Sequence, residues 1–246
     1  MTNRPLTGIK ACVFDAYGTL FDFAAAARAC QDVLGDAVEP LSALWRDKQL
    51  QYTWLRAAQD RHADFWQVTG DALDFTLETL GLDRPGPPGS PGRPGPAGSP
   101  GLRKRLMGLY LTLDPFPEVP AVLKALRRAG FMTAILSNGT PGMLDAAVAA
   151  AELGGLFDAV MSVEEAGAFK PSRRVYQLAV DRLGCPAAAI AFQSSNAWDA
   201  HAASAFGMRV VWCNRYGARR ERLPGAPDCE IASLRELPAL LGLPAA

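Results

Sequence analysis

Apolar positions along this chain follow two rhythms that alternate in blocks. Ile9 to Phe14 is apolar apart from Lys10 and rich in β-formers, which predicts a buried parallel strand at the start. After Leu20 the spacing becomes three, four and seven: Leu41, Leu44, Trp45, Lys48, Tyr52 and Leu55, then Phe65, Trp66, Leu73, Leu77 and Leu80. Long helices are expected there, with no strand before about residue 113. From that point strands and helices alternate: helix Val119–Ala129, strand Met132–Leu136, helix Met143–Leu153, strand Ala159–Ser162, helix Arg174–Leu183. Strand Ile190–Phe192, helix Trp198–Phe206, strand Arg209–Trp212 and helix Leu234–Leu241 complete the series. The alternation predicts an α/β fold, a Rossmann-like doubly wound parallel sheet with a helical cap inserted after the first strand. Residues 1–20 and 114–246 would form the core domain and 21–113 the cap, standing over the strand ends.

One stretch fits neither rhythm. Residues 86–101 carry glycine at every third position with proline or small residues between, a collagen-like pattern too short to hold a triple helix unaided. A mobile extended loop joining two cap helices is expected, because glycine and proline break helices. Composition narrows the partners. Lys plus Arg and Asp plus Glu stand at 25 each, which argues against nucleic-acid or membrane-surface binding through bulk charge. Arg103-Lys104-Arg105 and Arg219-Arg220 are expected to be solvated faces. The five cysteines are odd in number, show no CxxC spacing and include two in predicted core strands, so reduced thiols and a cytoplasmic location are expected. No signal-type or membrane-spanning apolar run is legible.

Polar clusters follow the predicted strands. They are Asp15-Ala16-Tyr17-Gly18-Thr19, Ser137-Asn138-Gly139, Lys170-Pro171 and Ser194-Ser195-Asn196-Ala197-Trp198-Asp199. Ligands of open α/β sheets collect at the carboxyl ends of strands, where a carboxylate such as Asp15 can form a covalent intermediate. Taken singly, each cluster is open to a second explanation: Asp15 as a turn residue, Ser137 and Asn138 as turn or cap chemistry, Lys170 as a surface residue before proline. Their convergence on one sheet edge favours a reactive site. His62 and His201 are the only histidines and neither sits in a motif, so a Ser-His hydrolase and a zinc site are not expected.

These clusters resemble the motifs of the haloacid dehalogenase superfamily, and within it the type II L-2-haloacid dehalogenases. The resemblance rests on Phe14 to Phe21, Leu44-Trp45-Arg46, Lys48-Gln49-Leu50, Tyr52 to Arg56, Ile135 to Gly139 and Ser194 to Asp199, and it spans nearly the whole chain outside the Gly-Pro stretch. It implies a haloacid dehalogenase-like core and hydrolysis of L-2-haloalkanoic acids to D-2-hydroxy acids through an ester on Asp15. By the same resemblance Arg46, Asn138 and Trp198 would cradle the halide. Ser137, with Tyr17 close by, would hold the substrate carboxylate. Lys170 would keep Asp15 ionised, Thr19 and Tyr176 would support by hydrogen bonds, and Ser194 and Asn196 would position a water activated by Asp199. Leu50, Phe65 and Tyr17 would wall the alkyl group, whereas Trp66 is expected to pack, as aromatic residues at helical spacing in a cap more often do.

No cofactor or metal is implied, and the partner is a small 2-haloacid. A homodimer is implied by family alone. The alternative within the superfamily is a Mg²⁺-dependent phosphatase, whose leaving-group acid and metal-binding acid are replaced here by Tyr17 and Ser194. A catalytically silent scaffold protein is the third class. Two departures stand out: Gln193 at the end of a buried strand, whose amide must find partners, and Asp47, which would pair with Arg46 and blunt its attraction for halide.

Overall fold

The computed structural model describes residues 5–83 and 100–244. They form two compact units, Met1–Asp22 with Asp114–Ala246, and Phe23–Leu113.

The first unit is built on six parallel strands: β1 (Ala11–Phe14), β2 (Met132–Ser137), β3 (Ala159–Ser162), β4 (Ile190–Ser194), β5 (Arg209–Cys213) and β6 (Cys229–Ile231). Their spatial order is β3-β2-β1-β4-β5-β6, with Phe14 lying between Ile135 and Gln193. The chain winds outward from β1 through β2 to β3, then returns to the far side of β1 for β4. That reversal opens a crevice at the carboxyl ends of β1 and β4, the place where doubly wound sheets bind ligands. Every residue of β1 and β4 is buried, as expected for strands covered on both faces.

The second unit is helical: α1 (Ala25–Arg28), α2 (Gln31–Leu34), α3 (Val38–Ala58), α4 (Phe65–Thr79) and α5 (Pro100–Tyr110). Asp64 caps α4 by accepting from the Gln67 N–H at 2.8 Å. The apolar stripe expected along α3 is rotated in the structure. Its buried line runs through Val38, Leu41, Trp45, Gln49 and Thr53, whereas Leu55 is exposed. Gln49 and Thr53 tolerate burial because their polar atoms are hydrogen-bonded, Thr53 Oγ1 to the Leu50 carbonyl at 2.7 Å. Most of the expected Gly-Pro loop lies outside the described residues. Its last two residues, Pro100 and Gly101, open α5 instead, since proline is tolerated in a first helical turn where its missing N–H has no partner.

The sheet is flanked by α6 (Val119–Arg128), α7 (Pro141–Ala150), α8 (Arg173–Leu183), α9 (Ala197–Phe206) and α10 (Leu237–Leu240). Helix α7 starts two residues earlier than its apolar pattern suggests, because Thr140 caps it by accepting from the Met143 N–H and Pro141 fits its first turn. The helix expected over Leu234–Leu241 divides into a 3₁₀ turn, Leu234–Glu236, and the one-turn α10. Strand β6 was not legible, being three residues long behind a Pro-Gly stretch. The basic runs are solvated and also paired: Arg103 to Asp74, Arg105 to Asp32 and Arg220 to Glu230, in exposed bridges that contribute little to stability. All five cysteines are buried thiols, none of them in a disulfide. Among the described residues no helix is long and apolar enough to cross a membrane.

One ion pair in the sheet unit is of a different kind. Arg215 Nη1 donates to Glu118 Oε1 at 2.6 Å with both side chains 8% exposed, while its Nη2 donates to the Thr19 carbonyl at 2.8 Å. Its guanidinium lies 3.8 Å from the Phe116 ring centroid, and Ser233 Oγ donates to Glu118 as well. Burial works to raise the Glu118 pKa, but the bonds and charge of Arg215 with the Ser233 hydroxyl outweigh it and hold the carboxyl below its ordinary value. A depressed folded pKa means that the stabilisation is complete above the unfolded value of about 4.3 and is lost as pH falls through the folded value. Glu118→Gln is therefore expected to cost about 3 kcal/mol in urea unfolding at pH 7, with the gap to wild type closing below about pH 4. A gap independent of pH would rule out the ionised pair.

Candidate active site

Asp15 lies one residue beyond β1, and its N–H still donates to the Gln193 carbonyl at 2.9 Å. The sheet register thereby fixes its Cα at the crevice between β1 and β4. Beyond it the chain turns sharply, with the Ala16 carbonyl accepting from the N–H groups of Thr19, Leu20 and Phe21 and with Gly18 at φ +89°, a region that favours glycine. The turn brings Thr19 back onto Asp15. Oδ2 of Asp15 accepts from Thr19 Oγ1 at 3.1 Å and Asn196 Nδ2 at 2.8 Å, and Oδ1 accepts from Lys170 Nζ at 3.1 Å. Thr19 Oγ1 accepts in turn from the Ser195 N–H at 2.8 Å, so its hydroxyl hydrogen is left to point at Asp15.

Lys170, 1% exposed, also donates to Asp199 Oδ2 at 2.8 Å and lies 5.0 Å from the Phe192 ring centroid. Tyr176 OH donates to the other oxygen of Asp199 at 2.7 Å. Burial disfavours the Lys170 charge, yet Asp15 and Asp199 together raise its pKa, so it stays an ammonium. For Asp199 burial raises the pKa, Lys170 lowers it and Asp15 raises it again, with a net upward shift. The Tyr176 phenol is pushed well up by burial and by Asp199, which keeps it a donor.

At the end of β2, Ser137 Oγ accepts from the Gly139 N–H at 3.1 Å, and Asn138 Oδ1 accepts from the Lys170 N–H at 3.1 Å. A Cβ on Gly139 would fall 2.9 Å from the Tyr17 ring, so glycine is what lets that ring lie against the β2 turn. Ser194 ends β4, with Oγ accepting from the Asn196 N–H at 3.1 Å, and Trp198 is half-buried in the first turn of α9.

Of the residues expected from sequence, Asp15, Thr19, Lys170, Tyr176, Asn196 and Asp199 form one hydrogen-bonded chain, to which Asn138 and Ser194 attach through backbone N–H groups. Tyr17 and Ser137 meet at Gly139. Arg46, Leu50 and Phe65 belong to the helical unit. There Arg46 Nη1 donates to Gln49 Oε1 at 2.7 Å, its guanidinium lies 5.0 Å from the Phe23 ring centroid, and Asp47 is exposed. Leu50 is half-buried and Phe65 is buried. Sequence reasoning missed Phe192 under Lys170, Arg215 behind Thr19 and Gln49 beside Arg46. An apolar strand residue, a loop arginine and a helical glutamine carry no chemical signal on their own. The concern over Gln193 stands: its backbone carbonyl serves Asp15, but its buried side-chain amide has no protein partner among the described residues. No cluster of three or more His, Cys, Asp or Glu among those residues is placed to hold a metal.

The family model of haloacid dehalogenase-like hydrolases matches residues 9–207. The (S)-2-haloacid dehalogenase of Pseudomonas sp. (strain YL) is 44% identical over 227 residues, covering 92% of each chain. The (S)-2-haloacid dehalogenase 4A of Burkholderia cepacia is 40% identical over 233 residues, 95% of each. Among solved structures, the L-2-haloacid dehalogenase from Xanthobacter autotrophicus with chloropropionic acid covalently bound superposes with a TM-score of 0.83 at 37% identity, covering 95% of this chain and 98% of that one. A carboxylate held in this manner at the switch point of a parallel sheet, with relatives so similar over nearly their full length, means that the chain belongs to the haloacid dehalogenase-like hydrolases.

Proposed function

We propose that this enzyme converts L-2-haloalkanoic acids to D-2-hydroxy acids and halide through an ester on Asp15, with no metal taking part. The observation that carries the proposal is the three-donor hold on a nearly buried Asp15 carboxylate by Lys170, Thr19 and Asn196. Oδ2 takes two of these bonds and Oδ1 one, which leaves Oδ1 the better placed to attack. It would displace halide from C2 with inversion. Halide leaves with the bonding electron pair as a stable anion, so no general acid is needed, consistent with Tyr17 where phosphatases of this fold carry an acid. The developing negative charge does need donors. Arg46 from the helical unit, acting as a cap, would supply them with Asn138 and Trp198, while Ser137 and backbone N–H groups beside Asp15 hold the substrate carboxylate. Tyr17, Leu50 and Phe65 would face the alkyl group.

In the second step a water held by Ser194 and Asn196 attacks the ester carbonyl of Asp15 and gives its proton to Asp199. The acyl–oxygen bond breaks, the departing oxygen takes the proton back from Asp199, the hydroxy acid leaves with an oxygen from Asp15, and the Asp15 carboxyl releases one proton to solvent as the carboxylate is restored. Lys170 holds and orients Asp15 between turnovers and Tyr176 holds Asp199 in place. The five buried thiols support work in a reducing cytoplasm, and by family likeness the enzyme acts as a homodimer.

Halide release from L-2-chloropropionate, with D-lactate as product and the D-substrate inert, is expected to proceed unchanged in excess EDTA. Hydrolysis of phosphate monoesters in its place, dependent on Mg²⁺, would favour the phosphatase alternative. Asp199→Asn is expected to release about one halide per active site and then stall, with steady-state turnover reduced by about 10² or more. Because Asp199 must be ionised to take the proton and its pKa is raised, wild-type turnover should increase with pH through that value and fall below it. Steady multiple turnover by Asp199→Asn, seen by chloride titration, would remove Asp199 from the base role.

A further inference from the structure

The turn that carries Asp15 and Thr19 is also gripped by two segments that come from far along the chain. The Phe116 N–H, ahead of α6, donates to the Leu20 carbonyl at 2.9 Å, and Arg215, just past β5, donates from Nη2 to the Thr19 carbonyl at 2.8 Å. The guanidinium of Arg215 is itself fixed. Its Nη1 is held by Glu118 Oε1 at 2.6 Å and its plane lies 3.8 Å from the Phe116 ring centroid, so the fork spans two acceptors and an aromatic face. Thr19 is therefore held at both ends. Its carbonyl takes Arg215, while its hydroxyl accepts from the Ser195 N–H at 2.8 Å and donates to Asp15 Oδ2 at 3.1 Å. Displacing the carbonyl turns the residue and carries the hydroxyl off Asp15.

Stability alone does not account for an arginine here. Apolar residues of similar volume commonly replace a buried ion pair without loss, and Nε of Arg215 is buried with no hydrogen-bond partner among the described residues, a donor left desolvated. What an apolar side chain could not supply is a donor aimed at the Thr19 carbonyl. We propose that Arg215 is a positioning residue: by holding that carbonyl it keeps Thr19 Oγ1 on Asp15 Oδ2, and so sets the direction from which Oδ1 attacks. Its effect on rate rests on the nucleophile role of Asp15, whereas its hold on Thr19 is measurable without turnover.

Removing Arg215 alone would strand the buried Glu118 charge, so the two are replaced together, Glu118→Leu with Arg215→Met. This double variant is expected to melt cooperatively near the wild-type temperature. In a rapid-quench burst with L-2-chloropropionate its saturated first halide release should be slower by roughly tenfold to a hundredfold, with half-saturation within about twofold of wild type. Arg215→Lys, which keeps the charge but cannot span both acceptors, should shift the rate in the same direction by less. Adding the double replacement to Thr19→Val should cost nothing further. Amide hydrogen exchange reads the same hold without chemistry: the Ser195 N–H should lose protection in both variants, while those of Val13 in β1 and Phe192 in β4 keep theirs. A wild-type burst rate in either folded variant, losses that add to that of Thr19→Val, or unchanged Ser195 protection would each overturn the assignment, as would failure of both variants to fold. Wild-type protein that releases no halide from haloacids, yet shows Ser195 protection dependent on Arg215, would sink the dehalogenase reading and leave the hold on Thr19 in place.

Discussion

The ammonium of Lys170 stands 3.1 Å from one buried carboxylate, Asp15, and 2.8 Å from another, Asp199, and the chemistry of the sheet edge depends on that arrangement. Without the cation, two carboxylates in a buried crevice would repel each other with no opposite charge between them. With it, the excess negative charge is spread over donors from separate segments: Thr19 after β1, Asn196 before α9 and Tyr176 in α8. Burying three charges is costly, and these hydrogen bonds offset that cost. The two carboxylates differ in surroundings: Asp15 accepts from three side-chain donors, whereas the pKa of Asp199 is raised, first of all by burial.

Much of the sheet was legible because buried parallel strands read as apolar runs of four to six residues. The ends of those runs were less so, for a physical reason. At Gln193 and Ser194, and again at Ser137, the backbone continues the ladder after the side chains have turned polar, so hydrophobicity stops one or two residues before the hydrogen bonds do. These overhangs are where the site is built. In α3 the error ran the other way: Leu55 was expected on the apolar stripe and is exposed, whereas Gln49 and Thr53, which were not part of that stripe, are buried, because periodicity registers polarity and not whether a polar atom has found a partner.

The site was legible where residue type and strand end coincide, as at Asp15 and Ser137, whereas Lys170 lies in a loop eight residues past the end of β3 and Asp199 inside α9. Arg46 was legible through family resemblance only, since in helical spacing its neighbour Trp45 carries the apolar signal. Arg215 and Glu118 had no local signal at all. They meet across 97 positions of sequence, and a charged loop residue ordinarily belongs to solvent. Contacts of that kind come from topology: the return of the chain across the sheet brings the segment after β5 against the turn that follows β1.

In the proposed reaction the Asp15 carboxylate becomes the acyl group of an ester and gives its own oxygen to the product. A single turnover with enzyme in excess over L-2-chloropropionate, run in ¹⁸O-water and followed by mass analysis of both lactate and the peptide containing Asp15, tests it most directly. The mechanism predicts unlabelled lactate and one ¹⁸O in Asp15; labelled lactate with Asp15 unlabelled would mean that water attacks carbon directly and would contradict it.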